Sequence, residues 1–596
     1  MILQALNELY QRLARDEESG IPLRGFSRQP VPFALEIDRD GTLRQVLDLR
    51  VQNGKKLAPR QLIVPEPAKR SGTKPPPNFM WDNTGYVLGA DNKGKPKRAA
   101  WAFGEFRKKT HVLCDDLDDE GAAAVLAFLD AWSPDKAAGL DHWDELCGLN
   151  VVFKLSTERN FVHERPKIRE AWLRHAQANA SEVHGQCLVT GEEHAPIARL
   201  HPDLKGVRGA QSKGATLVGF NLDAFASYAK SQSYNAPVGE EAAFNYTTAL
   251  NHLLRRDSPQ KVQIGDATTV FWTERKTTSE ELFPFAFDPS EDEAEQKKLA
   301  LFLEAVRDGK MPVALADERQ VRTYVLGLSP NAGRISVRFW HVDTVEGMWG
   351  KLRQHFADLR IVRRFEKEPE FPPQWLLLKA AALREDLDNL SPLLAGAFMR
   401  SILTGGAYPE SLLAAVMGRI RAEHEVTYCR AAIVKACIVR NARLHPDHNT
   451  IPEVTVSLDE TSINVPYRLG RLFAVLEKLQ EEAYFPNKLN STIMDKYYGS
   501  ASATPRSVFP ILMKLKVHHL RKFPMQKRGL AINRERTIAA ILDGVDISDG
   551  GFPAHLSLED QGLFTLGYYH QRKALWTPGD AATEAKPETA NPATEE

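Results

Sequence analysis

The chain has 596 residues, of which 77 are basic and 77 acidic, so its formal net charge at neutral pH is zero. Hydrophobic residues make up 43% and charged residues 26%, a composition typical of folded globular proteins that excludes collagen-like and wholly disordered chains. No apolar run is long enough for a transmembrane helix, the N-terminus lacks the pattern of a signal peptide, and the five cysteines form no CxxC pair, so we expect a cytoplasmic protein.

The first 370 residues predict a mixture of helices and strands. Apolar residues at helical spacing predict a helix over 1–20, and the alternating stretch 31–64 carries the Asp-Gly and Asn-Gly turns of β-hairpins. The same patterns predict later elements in this half: helices at 121–132, 167–178 and 242–254, and strands at 270–272, 321–328 and 334–342. We therefore expect an α+β N-terminal domain over residues 1–370.

Helical spacing dominates after the proline-rich segment at 369–373. Helices are predicted at 374–388, 392–403, 409–443, 467–484, 505–523, 533–542 and 556–575. We expect an all-α C-terminal helical bundle over 371–576, followed by a disordered tail at 577–596 that is rich in Pro, Ala, Thr and Glu.

The charges are balanced overall but not locally. Residues 55–109 carry a net charge of +9, residues 115–145 carry −9, and residues 506–536 carry +8. Separate basic blocks on one chain favour a polyanionic partner, because attraction to phosphates acts over roughly 8–10 Å at physiological salt. The acidic segments 115–145 and 280–295 fit either protein contacts or edges that repel DNA.

The sequence offers several motifs that resemble catalytic sites, but each is incomplete. Residues 89–95 have the spacing of a phosphate-binding P-loop, yet Pro96 stands where a magnesium-binding Ser or Thr belongs, and we expect no helix after it. Ser212 misses the spacing of a nucleophile elbow by one residue. Cys187, His194 and His201 lack a fourth zinc ligand nearby.

Three classes of function therefore remain open. A nucleic-acid-binding subunit without catalytic residues, cofactor or metal fits the basic blocks best. The alternative is a metal-dependent nuclease built on His445, Asp447 and His448, or on the carboxylates at 115–119. The third is a pure protein-interaction scaffold whose basic blocks meet acidic partner surfaces.

The strongest local signal for phosphate binding is the segment 205–214, which we call the glycine loop. It combines four glycines with the cations Lys205, Arg208 and Lys213 and the polar pair Gln211 and Ser212. Glycines let backbone N–H groups approach phosphate oxygens, cations neutralise them, and a Gln side chain is able to hydrogen-bond a base edge. A second basic segment, with aromatic and histidine residues between its cations, fits single-stranded nucleic acid through Lys514, Lys516, Arg521, Lys522, Lys527 and Arg528.

Ordered blocks of the sequence resemble the large subunit of the type I-C CRISPR Cascade surveillance complex. The resemblance covers the chain from about 80 to 515 and is carried by residues 81–89, 187–191, 197–202, 205–214, 221, 225–228, 235–238, 246–254, 328–334 and 467–473. It implies a non-catalytic subunit that reads a short protospacer-adjacent motif in duplex DNA, helps to open the strands, stabilises the resulting R-loop and holds the displaced strand. The implied partners are the guide RNA, target DNA, the Cascade backbone and guide-processing subunits, and the helicase-nuclease that cuts.

The resemblance also implies that the same gene yields a separate small subunit from an internal start. The matching unit here is 465–576, and we expect the product to begin near Val465, because Met494 lies after the first helix of the unit. For reading the motif we expect contacts from the glycine loop and from Lys74 and Asn78, which flank three consecutive prolines in a basic loop.

Overall fold

The computed structural model describes residues 1–53, 56–68, 75–178, 181–220, 222–287, 294, 297, 317–446, 454–485, 489–523, 525–545 and 551–576. Lys74, the tail at 577–596, Asp447 and His448 lie outside the described residues. The chain divides into two compact units: residues 1–204 with 216–252, and residues 205–215 with the chain from 253 onward.

The described helices of eight or more residues are Ile2–Ala14, Pro96–Cys114, Glu120–Ala131, Pro166–Ala178, Glu240–Leu253, Ser279–Phe287, Val345–Leu359, Gln374–Ala381, Pro392–Thr404, Glu410–Glu423, Tyr428–Leu444, Val465–Tyr484, Ile493–Ala503, Pro505–Arg521, Arg528–Leu542 and Leu558–Trp576. The strands are β1 (Phe26–Val31), β2 (Phe33–Ile37), β3 (Leu43–Asp48), β4 (Val51–Asn53), β5 (Lys56–Ala58), β6 (Arg60–Pro65), β7 (Trp81–Asn83), β8 (Asn150–Leu155), β9 (His184–Gly185), β10 (Ala195–Pro196), β11 (Lys261–Ile264), β12 (Ala267–Thr273), β13 (Arg322–Asn331) and β14 (Arg334–Thr344). None of these helices is both long and apolar enough to cross a bilayer.

The first unit is built around a four-stranded sheet in the order β3-β2-β8-β7. Strand β2 is buried along its whole length and pairs in parallel with β8, while β3 and β7 pair antiparallel at the edges. Helices Pro96–Cys114 and Glu120–Ala131 contribute Phe106 and Phe128 to the core on this sheet. The predicted hairpins of residues 31–64 are present as β2–β3 and β4–β5.

The second unit begins with an antiparallel sheet in the order β11-β12-β13-β14. Gly327 on β13 lies against the ring of Phe339 on β14, where a Cβ atom would overlap the ring, and the register shifts after it. The core formed on this sheet continues without a break through the helices that follow, since Phe271, Ile361, Leu377 and Phe564 belong to one hydrophobic cluster.

The last part of this unit is helical, and its first and last helices approach closely. Gly470 in Val465–Tyr484 and Gly567 in Leu558–Trp576 each lie against the backbone of the opposite helix, so that a Cβ at either position would overlap a carbonyl oxygen. Because no side chain separates the two backbones there, these glycines allow the closest helix packing in the unit.

The α+β region followed by helices is confirmed, but several predicted boundaries differ. Among the described residues the last strand ends at Thr344. The expectation that no helix follows residue 95 is wrong, because Pro96 occupies the first turn of a helix, where a missing N–H costs nothing. The predicted helix 409–443 is two helices, broken at His424, which has φ of +54°.

Candidate nucleic-acid interface

The glycine loop is anchored at its ends and exposed between them. Leu204 directly before the loop, Val207 within it and Ala215 directly after it are buried. The five side chains that the sequence analysis selected all point to solvent: Lys205, Arg208, Gln211, Ser212 and Lys213.

Backbone hydrogen bonds give the glycine loop a defined shape. The Arg208 N–H donates to Oγ1 of Thr268 on β12 at 3.0 Å, and the Ala210 and Gly214 N–H groups close two turns by donating to Val207 and Gln211. Gly206 has φ of +90° and lies directly on the Leu254 carbonyl, where a Cβ would overlap the oxygen. A residue other than glycine at this position would displace the loop from the sheet.

The structure brings the glycine loop next to a second segment that the sequence analysis selected separately. Pro330 lies near the end of β13 and Gly333 lies in the turn that leads to β14, and a Cβ on Gly209 would lie 3.3 Å from Cγ of Pro330. A Cβ on Gly333 would lie 4.0 Å from Nε2 of Gln211. One end of the sheet in the second unit therefore presents both segments together.

The electrostatics of the glycine loop favour an anionic ligand. Three cations and no acidic residue lie between positions 205 and 215. Within the part of the chain that the structure describes, the side chains of Arg208, Gln211, Ser212 and Lys213 make no hydrogen bond or ion pair. Cations without an internal partner keep their full capacity to neutralise phosphate oxygens.

Asn78 is not a surface residue. It is 3% exposed, its Oδ1 accepts the Ala68 N–H at 3.1 Å, and its own N–H donates to Asp82 at 2.9 Å. These bonds close the base of the basic loop, so the structure gives no support to the prediction that the Asn78 side chain contacts the motif. Lys74, the other residue of this loop that we expected to contact the motif, lies outside the described residues.

The C-terminal cations lie on and around the end of helix Pro505–Arg521, and they differ in their partners. Lys514, Arg521 and Arg528 are exposed, whereas Nζ of Lys516 pairs with Glu535 at 3.6 Å. Lys522 donates to the Tyr484 hydroxyl at 2.6 Å and lies 4.1 Å from the centroid of that ring. Lys527 lies 4.1 Å from the centroid of Phe485.

The aromatic residues of this surface are Tyr484 and Phe485, which sequence reasoning missed. The predicted neighbour His519 is buried against the Tyr484 ring, and burial lowers the pKa of its imidazole. Phe485 is largely exposed beside Lys527. A Tyr-Phe pair at the end of a helix was the available signal, but its pairing with residues about 40 positions later was not visible in the sequence.

Several of the residues considered for metal binding or catalysis make structural contacts instead. Sγ of Cys187 accepts the Gly239 N–H at 3.1 Å, His201 bonds the Tyr246 hydroxyl at 2.6 Å, and His194 is exposed elsewhere. Asp119 caps a helix and accepts from Arg165, and Asp118 pairs with a lysine. Across the described ranges no three metal-binding side chains come together.

Comparison with known proteins identifies a family for this chain. A family model described as CRISPR-associated protein (Cas_Csd1) matches residues 6–576 of the chain. A search of curated proteins finds no significant match. The matched range includes the glycine loop, the turn after β13 and the C-terminal basic helices.

Proposed function

Because this chain belongs to the CRISPR-associated Csd1 family, we propose that it is the non-catalytic large subunit of a type I-C RNA-guided surveillance complex. In this role it binds the guide RNA and the Cascade backbone and guide-processing subunits. It recognises the protospacer-adjacent motif in duplex DNA, assists strand opening, stabilises the R-loop and recruits the helicase-nuclease. Such a division of labour leaves sequence reading to the guide and motif reading to the protein.

The observation that carries this proposal is the glycine loop. Its backbone is fixed by Thr268 and by the glycine at 206, while its cations are exposed to solvent and the loop itself contains no acidic residue. Lys205, Arg208 and Lys213 would contact phosphates, which sets the register of the duplex but carries no sequence information. Gln211 and Ser212 are the polar side chains placed to reach base edges.

The test is the double variant Gln211→Ala with Lys213→Ala in the assembled complex. We expect weaker binding to a target duplex at physiological salt, because one base contact and one phosphate contact are removed together. The control is Lys167→Ala, whose cation pairs with Asp118 at 3.0 Å and lies outside the proposed site. If the double variant binds as tightly as the wild type, the glycine loop is not the duplex-binding element.

The C-terminal basic surface is the proposed site for the displaced strand. Exposed Lys514 and Arg521 would track the backbone, and Tyr484 and Phe485 add rings for stacking beside Lys522 and Lys527. The variant Lys514→Ala with Arg521→Ala should weaken binding of a single strand, while Lys516→Ala serves as the control because that lysine pairs with Glu535. If the control variant loses as much single-strand affinity as the double variant, the effect comes from net charge and the proposed site is contradicted.

An internal product from the same gene is proposed as the small subunit. Val465 is the first residue of helix Val465–Tyr484, with Asn464 as its N-cap, whereas Met494 lies inside the next helix. A start near Val465 therefore preserves the close packing of Gly470 against helix Leu558–Trp576. A C-terminal tag on the gene in its native host should recover a band of about 130 residues, and the absence of that band would contradict the internal start.

The non-catalytic role is tested with the isolated protein. Labelled duplex incubated with Mg²⁺ or Mn²⁺ should remain intact, because Asp115, Asp118 and Asp119 are engaged in helix capping or ion pairs. Cleavage that EDTA abolishes would favour a metal-dependent nuclease instead.

A further inference from the structure

A short loop in the first unit, residues 222–231, presents large apolar side chains to solvent. The whole loop is exposed, and Leu222, Phe225 and Tyr228 have exposed fractions of 59%, 37% and 95%. Among the described residues Tyr228 makes no ring contact or side-chain hydrogen bond. An isolated tyrosine standing almost fully in water has no role in the packing of this chain.

The loop is nevertheless held in one conformation by Asn235. Its Oδ1 accepts the Ser227 N–H at 2.8 Å, and its Nδ2 donates to the Lys230 and Gln232 carbonyls at 2.8 and 2.9 Å. The next anchor is Ser233, which is buried and donates its N–H to the Arg199 carbonyl. Tyr228 is thus exposed on a fixed support rather than on a free chain.

The backbone at the tip is strained. Tyr228, Ala229 and Gln232 have φ of +53°, +55° and +50°, in the left-handed region that residues with a side chain rarely adopt. Two such residues in succession, neither of them glycine, persist because the Asn235 bonds over-determine the loop. Strain of this kind concentrates at sites that bind a ligand.

The chemistry of the loop favours a nucleobase over a phosphate. One acid, Asp223, and one base, Lys230, leave the segment 222–231 without net charge, so it has no means of neutralising a backbone. DNA offers a flat apolar surface only at the face of a base, and that face becomes accessible when neighbouring base pairs unstack. In the sequence, seven residues separate Gly214, at the end of the glycine loop, from Leu222.

We propose that Tyr228, presented by the loop 222–231, stacks on a base of the target duplex where its strands begin to part. This inference rests on the proposed function and assigns a residue to strand opening. Asn235 is its positioning residue, because it fixes the loop without reaching the DNA itself.

The test uses the assembled complex and a target duplex that carries 2-aminopurine beside the motif, whose fluorescence rises when the base unstacks. Tyr228→Ala should lower the opening equilibrium about 5- to 150-fold, the range of a lost base–aromatic stack, while Tyr228→Trp retains opening. Asn235→Ala should give a smaller loss. A duplex with a preformed bubble should restore both variants, and Leu188→Ala, another exposed apolar residue of the first unit, should behave as the wild type.

The possible outcomes separate this inference from the function on which it rests. A wild-type complex that binds no duplex overturns both. If the complex with Tyr228→Ala opens the duplex to the same extent as the wild-type complex, only this inference is overturned. A Tyr228→Ala chain that fails to assemble before DNA is added, or that stays defective on the bubble, assigns the loop to a protein contact and overturns the stacking role.

Discussion

Removing the three cations of the glycine loop should flatten the salt dependence of duplex binding. The change is Lys205→Ala, Arg208→Ala and Lys213→Ala together, all exposed and carried on a backbone held by Thr268. Each cation that neutralises one phosphate contributes about 0.9 to the slope of log affinity against log salt, so three contribute about 2.7. Between 50 and 200 mM salt the wild-type complex should therefore lose about 40-fold more affinity than the variant does.

The assay is a titration of the target duplex with assembled complex at four salt concentrations, analysed for the slope. Arg39→Ala and Lys167→Ala are matched controls, because Arg39 pairs with Glu120 and Lys167 with Asp118, and their slopes should stay at the wild-type value. A triple variant with an unchanged slope would show that the glycine loop does not hold phosphates, whatever its effect on affinity at one salt concentration.

Three further predictions concern recognition and stability. Gln211→Ala should weaken binding to duplexes that carry the motif by about 1–3 kcal/mol and leave motif-free duplexes unaffected in a competition assay; equal losses on both would exclude base reading. Gly470→Ala should destabilise the helical region by at least about 1–3 kcal/mol in thermal unfolding, because its Cβ would overlap backbone, whereas Gly499→Ala, which faces open space, should be neutral or stabilising. Burial lowers the pKa of His355 to about 3 and that of His570 to about 4. Below about pH 6.5 the unfolded chain therefore binds protons at these residues that the native chain does not, and the free energy of unfolding measured in urea should fall by about 1.4 kcal/mol per pH unit for each residue. A free energy of unfolding that stays constant between about pH 6.5 and 5 would contradict their buried, neutral state.

Elements with a regular apolar pattern were predictable from the sequence, and the misses have physical causes. Helix Glu120–Ala131 and the hairpin of β13 and β14 lie where spacing and turn residues predicted them. Helix Pro96–Cys114 was missed because its first turn is basic and exposed, and only its later residues face the core. The break at His424 was missed because the mostly polar run at 421–425 contains neither the glycine nor the proline that usually marks the end of a helix.

The candidate site was predictable in composition but not in placement. The exposure of the glycine loop follows from its own residues, since lysine and arginine are seldom buried without a partner. The burial of Asn78 could not be read in the same way, because it depends on Ala68 and Asp82 closing a loop around it. The contact of Lys522 with Tyr484 spans 38 positions and depends on how the helices pack.

The most direct test of the account is a photocrosslink from position 211 in the assembled complex to a motif-bearing duplex. A photoreactive residue in place of Gln211 should crosslink to the motif bases, and an excess of motif-bearing competitor should abolish the crosslink while a motif-free duplex should not. Crosslinks that are absent, or that fall equally on any duplex, would contradict the claim that this loop reads DNA.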